Sequence, residues 1–189
     1  MKSKFLQISE VYDGQQLRSL WNYMEHGLLG DSIVAWVGPC KVHIDHMVDG
    51  EDLLAKQKIE GAQMVHFLIE KFDTSLFAAV GLQRLMAAIV MQWLSSLAPN
   101  KGFASNLRRS GDDIYSGNKK LSISIATQSP VSSLIHFAVN VVNDGTPVET
   151  LSLKELGVEP ERFAKDILQL FCEEVESITQ ATQKVRWVK

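Results

Sequence analysis

The sequence predicts an α+β fold, a mixed or antiparallel sheet with helices packed on one face. Four segments are rich in β-branched and aromatic residues: SIVAWVGPCKV (32–42), MVHFLIE (64–70), LSISIAT (121–127) and LIHFAVNVV (134–142). Two long stretches, 72–98 and 159–179, are apolar at helical spacing. Strand-like and helix-like segments do not alternate regularly, which argues against a doubly wound sheet.

Each element follows from its own local pattern. Within 15–25, Leu17, Leu20, Trp21 and Met24 recur at helical spacing, and Gly27 and Gly30 follow as stops, so a short amphipathic helix is expected. The strand at 32–42 contains Gly38 and Pro39, which call for a bulge or break rather than a straight run. Residues 76–98 are apolar enough to look like a membrane span, but Gln83, Arg84 and Gln92 interrupt them. A charge at a bilayer centre costs about 2.5 kcal/mol or more, so this stretch reads as a buried helix with a broad apolar surface. Asp113 to Tyr115, the turn Ser116-Gly117-Asn118 and the alternating segment 121–127 spell a β-hairpin. The last helix carries Phe163, Ile167, Leu170, Phe171, Val175 and Ile178 on one stripe, with Pro160 suited to its first turn.

At 189 residues, without repeats or Pro/Gly-rich linkers, the chain suits one domain over residues 1–189. Its 46% hydrophobic and 22% charged residues are those of a globular chain, which excludes disorder as the organising feature. A net charge of -3 supplies no field to recruit a nucleic acid backbone, so no nucleic acid partner is expected. The basic residues cluster at Arg108, Arg109, Lys119 and Lys120, a group suited to one small anion. Two cysteines make no disulfide framework, and MKSKFLQISEVYDG has no apolar signal core, so a cytoplasmic protein without a membrane partner is expected.

The hairpin concentrates the chemistry. Lys119 and Lys120 face Asp112 and Asp113 across a short turn, and such a lysine can neutralise charge as it develops on a phosphate or carboxylate. The plainer reading is a solvated, charged hairpin. Arg108 and Arg109, just ahead of it, can grip a phosphate or carboxylate bidentately, and one of them is expected to face the cleft. Cys40, after Gly38-Pro39, is a candidate nucleophile if a neighbour lowers its pKa, and otherwise a buried structural thiol. HIDHMVDGED (43–52) offers His43, Asp45, His46, Asp49, Glu51 and Asp52, but at no specific ligand spacing, so an acidic helix start is the stronger reading and no metal site is assigned. His66 and His136 lie among apolar residues and read first as hydrogen-bonded core histidines, second as general bases.

GDDIYSGNKKLSISIAT resembles the biotin and lipoate protein ligase pattern of Asn-Asp-Ile, a short turn and Lys-Leu-small-Gly. IHFAVNVV is similar to that superfamily's strand ending in Asn-Val-Asn, with Asn140 at the asparagine, and LSLKELG resembles the helix start that follows. About 80 residues of the C-terminal half are covered. The resemblance implies a biotin/lipoate ligase-like fold, related to class II aminoacyl-tRNA synthetases, with Lys120 as the catalytic lysine. It also implies that Lys120 contacts a small acid's carboxylate and the α-phosphate of ATP; Arg108, Arg109, Asp112, Asp113, Lys119 and Asn140 are the candidate substrate- and nucleotide-binding residues, and Mg²⁺ could enter with the nucleotide. YDGQQL, GDSIVAW, GPC, HMVDGEDL and MVHFLIEKFD resemble more closely still a domain-of-unknown-function family, number 366, which brings no activity with it.

Departures from the ligase pattern bear on function. Asp112 stands where the ligases have asparagine, and Ile123 where they have a glycine for close substrate approach. The Gly-Arg-Gly-Arg and Arg-Arg-x-x-Gly-Gly-Gly loops are not visible, and NDGTPVET lacks the cysteine that octanoyltransferases carry there. Three readings follow: an enzyme activating or transferring an acyl group through Lys120, a non-catalytic module binding a small anion, acyl cofactor or acyl-carrier partner, and a structural homo-oligomer.

Overall fold

A computed structural model describes residues 1–97 and 106–188 of the chain. Among the described residues eight strands and five helices run in the order β1 (Lys2–Phe5), α1 (Trp21–His26), β2 (Ser32–Lys41), α2 (Gly50–Ala55), β3 (Glu60–Phe72), α3 (Leu76–Leu97), β4 (Leu107–Ser110), β5 (Asp113–Ser116), β6 (Lys119–Lys120), β7 (Ser122–Gln128), β8 (Ser132–Asn140), α4 (Leu153–Leu156) and α5 (Pro160–Gln183). A 3-10 turn, Ile44–His46, precedes α2. The main sheet is mixed, ordered β1-β2-β3-β8-β7, with β1 and β2 parallel and the other pairs antiparallel. A small antiparallel sheet, β4-β5-β6, stands beside it. This is the expected α+β architecture.

Strand alternation divides the main sheet into two buried faces. Ile33, Ala35, Val65, Phe67, Ile135 and Phe137 point toward α3 and α5. Val34, Trp36, Met64, Leu68 and Ala138 point the other way, beneath Leu6, Tyr12 and Trp21 of the N-terminal segment. α3 and α5 therefore cover one face, while the N-terminal segment with the short α1 covers the other and leaves room for a cavity.

The bulge foreseen in 32–42 is present: the β2/β3 register slips between Gly38 and Cys40. Gly38 is required because a Cβ there would lie 2.2 Å from the Glu10 carbonyl oxygen, which also accepts the Trp36 indole N–H at 2.9 Å. The expected helix at 15–25 instead begins at Trp21. Leu20 is left-handed (φ 65), and its N–H donates to the buried Glu70 carboxylate at 2.8 Å, which also accepts from Ser132 Oγ at 2.7 Å. β3 is longer than expected and takes in Phe72, so the helix predicted for 72–98 begins at Leu76, and its last expected residue, 98, lies outside the described residues.

By length and composition α3 could cross a membrane, but it lies along the sheet and buries a stripe through Ala79, Gln83, Met86, Ala87, Val90 and Leu94. On α5 the buried stripe is Phe163, Ala164, Ile167, Leu168, Phe171 and Val175, with Pro160 in the first turn. Leu170 and Ile178, expected on that stripe, are partly exposed because Ala164 and Leu168 turn the buried face toward themselves. A capping box closes α4: Ser152 Oγ accepts from Glu155 N, and Glu155 returns to Ser152 N. Ser152→Ala is expected to cost about 1 kcal/mol, read as a lower denaturant midpoint with an unchanged slope.

Candidate functional site

The site is assembled around the hairpin. Ile114 and Leu121 are fully buried and anchor it, joined by Leu121 N to Ile114 O at 2.8 Å, while Ser122 Oγ accepts from Ile114 N at 3.0 Å. Lys120 is pinned on its other side, its N–H donating to Glu149 O at 3.0 Å and its carbonyl accepting from Leu151 N at 3.0 Å. Asn140 completes the clamp, donating through Nδ2 to Lys120 O at 3.1 Å and Leu151 O at 3.2 Å. Asn140→Ala leaves both carbonyls short of a side-chain donor in a buried place. It is expected to cost roughly 2 kcal/mol and to loosen Lys120, lowering ligand-induced thermal stabilisation along with intrinsic stability.

So held, the Lys120 side chain lies at the junction of two cavity lobes. The larger, about 330 Å³, is lined by Tyr12, Asp52, Asp112, Asp113, Lys120 and His136 among others. The smaller, about 220 Å³ and more apolar, is lined by Ile59, Met64, Asn140, Pro147, Val148 and Thr150 with their neighbours. Asp52, Ile59, Lys120 and Ile123 line both. Lys120 Nζ pairs with Asp113 Oδ2 at 2.8 Å, and the Tyr115 hydroxyl donates to the same oxygen at 3.1 Å. Asp112 is oriented by Ser124 Oγ at 2.6 Å and Gln83 Nε2 at 2.9 Å, both on its Oδ2.

The wall opposite the hairpin is the segment read as an acidic helix start. Asp49 caps α2 by accepting from Glu51 N and Asp52 N. Burial, and next the neighbouring Asp49, raise the Asp52 carboxyl above its usual range, while Lys120 acts in the opposite sense. Among the described residues no group of three or more His, Cys, Asp or Glu side chains is arranged to hold a metal ion.

The floor is aromatic. Tyr12 stacks on His136 with centroids 3.5 Å apart and planes 8° from parallel. His136 Nε2 lies 3.1 Å from His66 Nδ1, and His66 Nε2 lies 3.1 Å from Gly38 O. A carbonyl can only accept, so Nε2 of His66 carries the proton, its Nδ1 accepts from His136 Nε2, and a lone pair remains on His136 Nδ1. Both rings are buried, and burial lowers the pKa of His66 to about 4 and that of His136 well below the usual histidine range, with His66 adding to the latter. Both histidines are thus neutral at pH 7.

The other sequence candidates lie apart from the cavity. Arg108 and Arg109, of which one was expected to face the cleft, sit on exposed β4, and neither is among the described residues lining either lobe. Arg108 is held by stacking 4.7 Å over Tyr115 and by donating to Gly117 O at 3.3 Å, and Arg109 donates to Gly111 O. Lys119 pairs with Glu155 at 3.4 Å. Cys40 lines neither lobe, and burial pushes its thiol up to about 12, so it carries no appreciable thiolate at neutral pH. Both cysteines are free. Tyr12 gave no sequence signal as a site residue, and His136 gave only its position among apolar neighbours.

A mixed sheet with two helices packed on one face is the architecture this chain shares with the biotin/lipoate ligase-like fold. Biotin protein ligase from Aquifex aeolicus, solved in complex with biotin and ATP, matches at TM-score 0.60 and 14% identity over 95% of this chain and 72% of that one. Biotin protein ligase from Leishmania major in complex with biotinyl-5-AMP matches at TM-score 0.55 and 13% identity over 100% and 84%. The chain belongs to the family described as domain of unknown function (DUF366), whose model matches residues 1–186. A protein of unknown function from Pyrococcus horikoshi shares 39% identity at TM-score 0.91 over 99% of this chain and 100% of that one. An uncharacterized protein of Methanocaldococcus jannaschii is 29% identical over 92% of this chain and 79% of its own length.

Proposed function

We propose that this protein activates a small carboxylic acid at Lys120, using a nucleoside triphosphate. The observation that carries the reading is the position of Lys120, the one ammonium lining both lobes among the described residues, at their junction. An acid in one lobe and a nucleotide in the other meet at its Nζ. A carboxylate oxygen attacks the α-phosphorus, the bond to the bridging β-phosphate oxygen breaks, pyrophosphate leaves and an acyl adenylate forms. Negative charge grows on the α-phosphoryl oxygens, where a fixed ammonium stabilises it most. Fold neighbours solved with biotin and ATP, or with biotinyl-5-AMP, support a small acid and a nucleotide as the ligands. Asp113, paired with Lys120, is an oxygen donor of the kind that suits a nucleotide's Mg²⁺.

A second reading, a non-catalytic module for a small anion or acyl cofactor, is favoured by Ile123. Its side chain lines both lobes where the ligase pattern has glycine. Exchange of labelled pyrophosphate into ATP, dependent on an added acid, separates the two. Exchange above the acid-free blank supports activation. Saturable ligand binding without exchange selects the module.

A further inference from the structure

The larger lobe has a charge pattern that acid activation alone does not use. Five carboxylates line it, Asp49, Glu51, Asp52, Asp112 and Asp113, against the single lysine Lys120. Asp113 is answered by Lys120, and Asp49 by the backbone N–H groups at the start of α2. Asp112 is held through Oδ2 alone, and among the described residues nothing donates to its Oδ1. Asp52 already feels the crowding, its carboxyl being raised by burial and by Asp49. A lobe built only to admit the tail of a neutral fatty or ring acid has no reason to gather this much negative charge.

The floor supplies an independent sign of the same kind. His136 is 2% exposed and Tyr12 3%, and both line the lobe. The proton order from Gly38 through His66 leaves His136 Nδ1 a bare acceptor, and among the described residues nothing hydrogen-bonds to that nitrogen or to the Tyr12 hydroxyl. Both residues line the lobe and neither atom is sealed from it, so a ligand's polar group can take the place of water there. Because His136 is neutral, it does not repel a cation.

We propose that the acid handled at Lys120 carries a cationic, hydrogen-rich group at its far end, a protonated amine or a guanidinium. Asp52 and Asp112 answer its charge, and His136 Nδ1 accepts one of its N–H groups. The inference rests on the reading of Lys120 as the carboxylate site. A neutral acid of the same length would strip water from these acceptors and return nothing to them, and sites that leave their own polar groups unpaired reject the analogue strongly.

The test is calorimetric titration of the full chain at pH 7.5, without nucleotide, comparing 6-aminohexanoate and 4-guanidinobutanoate with hexanoate, and with MgCl₂ alone. Binding of a cationic acid at least 100-fold tighter than hexanoate is expected. Asp112→Asn should reduce that preference at least tenfold, and Asp52→Asn serves the same purpose should the first variant lose its fold by circular dichroism. Equal or tighter binding of hexanoate, no binding by any of the acids, or Mg²⁺ filling the lobe without competition from the cationic acids would each overturn the proposal. Pyrophosphate exchange keeps the two ideas apart. Exchange with hexanoate but with neither cationic acid leaves acid activation standing and removes this inference, whereas tight cationic binding with no exchange under any acid does the reverse.

Discussion

Lys120→Ala is expected to lower acid-dependent pyrophosphate exchange by about 10²- to 10³-fold in kcat/KM, the loss typical of removing one preorganised charge-stabilising donor. The fold should survive. The Lys120 and Asp113 side chains are 27% and 21% exposed, and Asp113 keeps the Tyr115 hydroxyl as a donor. Breaking the pair is therefore closer to the surface case than to the buried one, at roughly 1 kcal/mol. Lys120→Arg separates charge from shape: a guanidinium keeps the charge but spreads it over a planar fork, so partial recovery of exchange is expected, short of wild type. An alanine variant with wild-type exchange would remove Lys120 from the reaction. A variant that no longer unfolds cooperatively would show instead that the ion pair is structural.

The hairpin that carries Lys120 was legible because its signals are local. The turn Ser116-Gly117-Asn118 announces a hairpin, although its return strand is only Lys119–Lys120 and the alternating segment after it pairs with β8 in the main sheet; the hairpin puts the lysine where the chain is pinned at Glu149, Leu151 and Asn140. The strands and the two long helices were legible for the same reason, since side-chain periodicity reports which face is buried. The misreadings all involve partners far away in the chain. Leu20 delays the start of the expected first helix to Trp21 because Glu70, on a distant strand, takes its N–H. Arg108 and Arg109 have the residue type for anion binding, yet their strand pairs only with β5 in the small sheet and leaves them exposed. Tyr12 lies in a short polar stretch without periodicity, and only the fold lays it on His136. The acidic stretch 43–52 was legible as a helix start, whereas its place as a cavity wall depends on where β3 and the hairpin lie.

The buried histidine pair should make the protein acid-labile over a defined window. Burial holds the folded-state pKa of His66 at about 4, against 6.5 when unperturbed. The folded state then binds fewer protons than the unfolded state between these values, so stability is highest above pH 6.5 and falls as pH drops toward 4. Two and a half pH units at about 1.4 kcal/mol each give a loss of roughly 3 kcal/mol from His66 alone, and His136, shifted in the same direction, adds to it. For a chain of this size the loss corresponds to a melting temperature lower by roughly 6–12 °C at pH 4 than at pH 7. Glu155 titrates below its usual 4.5, chiefly through its hydrogen bond from Asn143, so its own loss comes later in the same titration. His66→Gln isolates the cause, because its amide can still donate toward Gly38 O but takes up no proton. Thermal unfolding from pH 7 to pH 4 should show a shallower decline in this variant than in wild type. Equal slopes would mean that the acid sensitivity arises elsewhere. The same experiment therefore bears on the site: a floor that must stay neutral to accept a ligand's N–H loses that ability in the window where the fold begins to weaken.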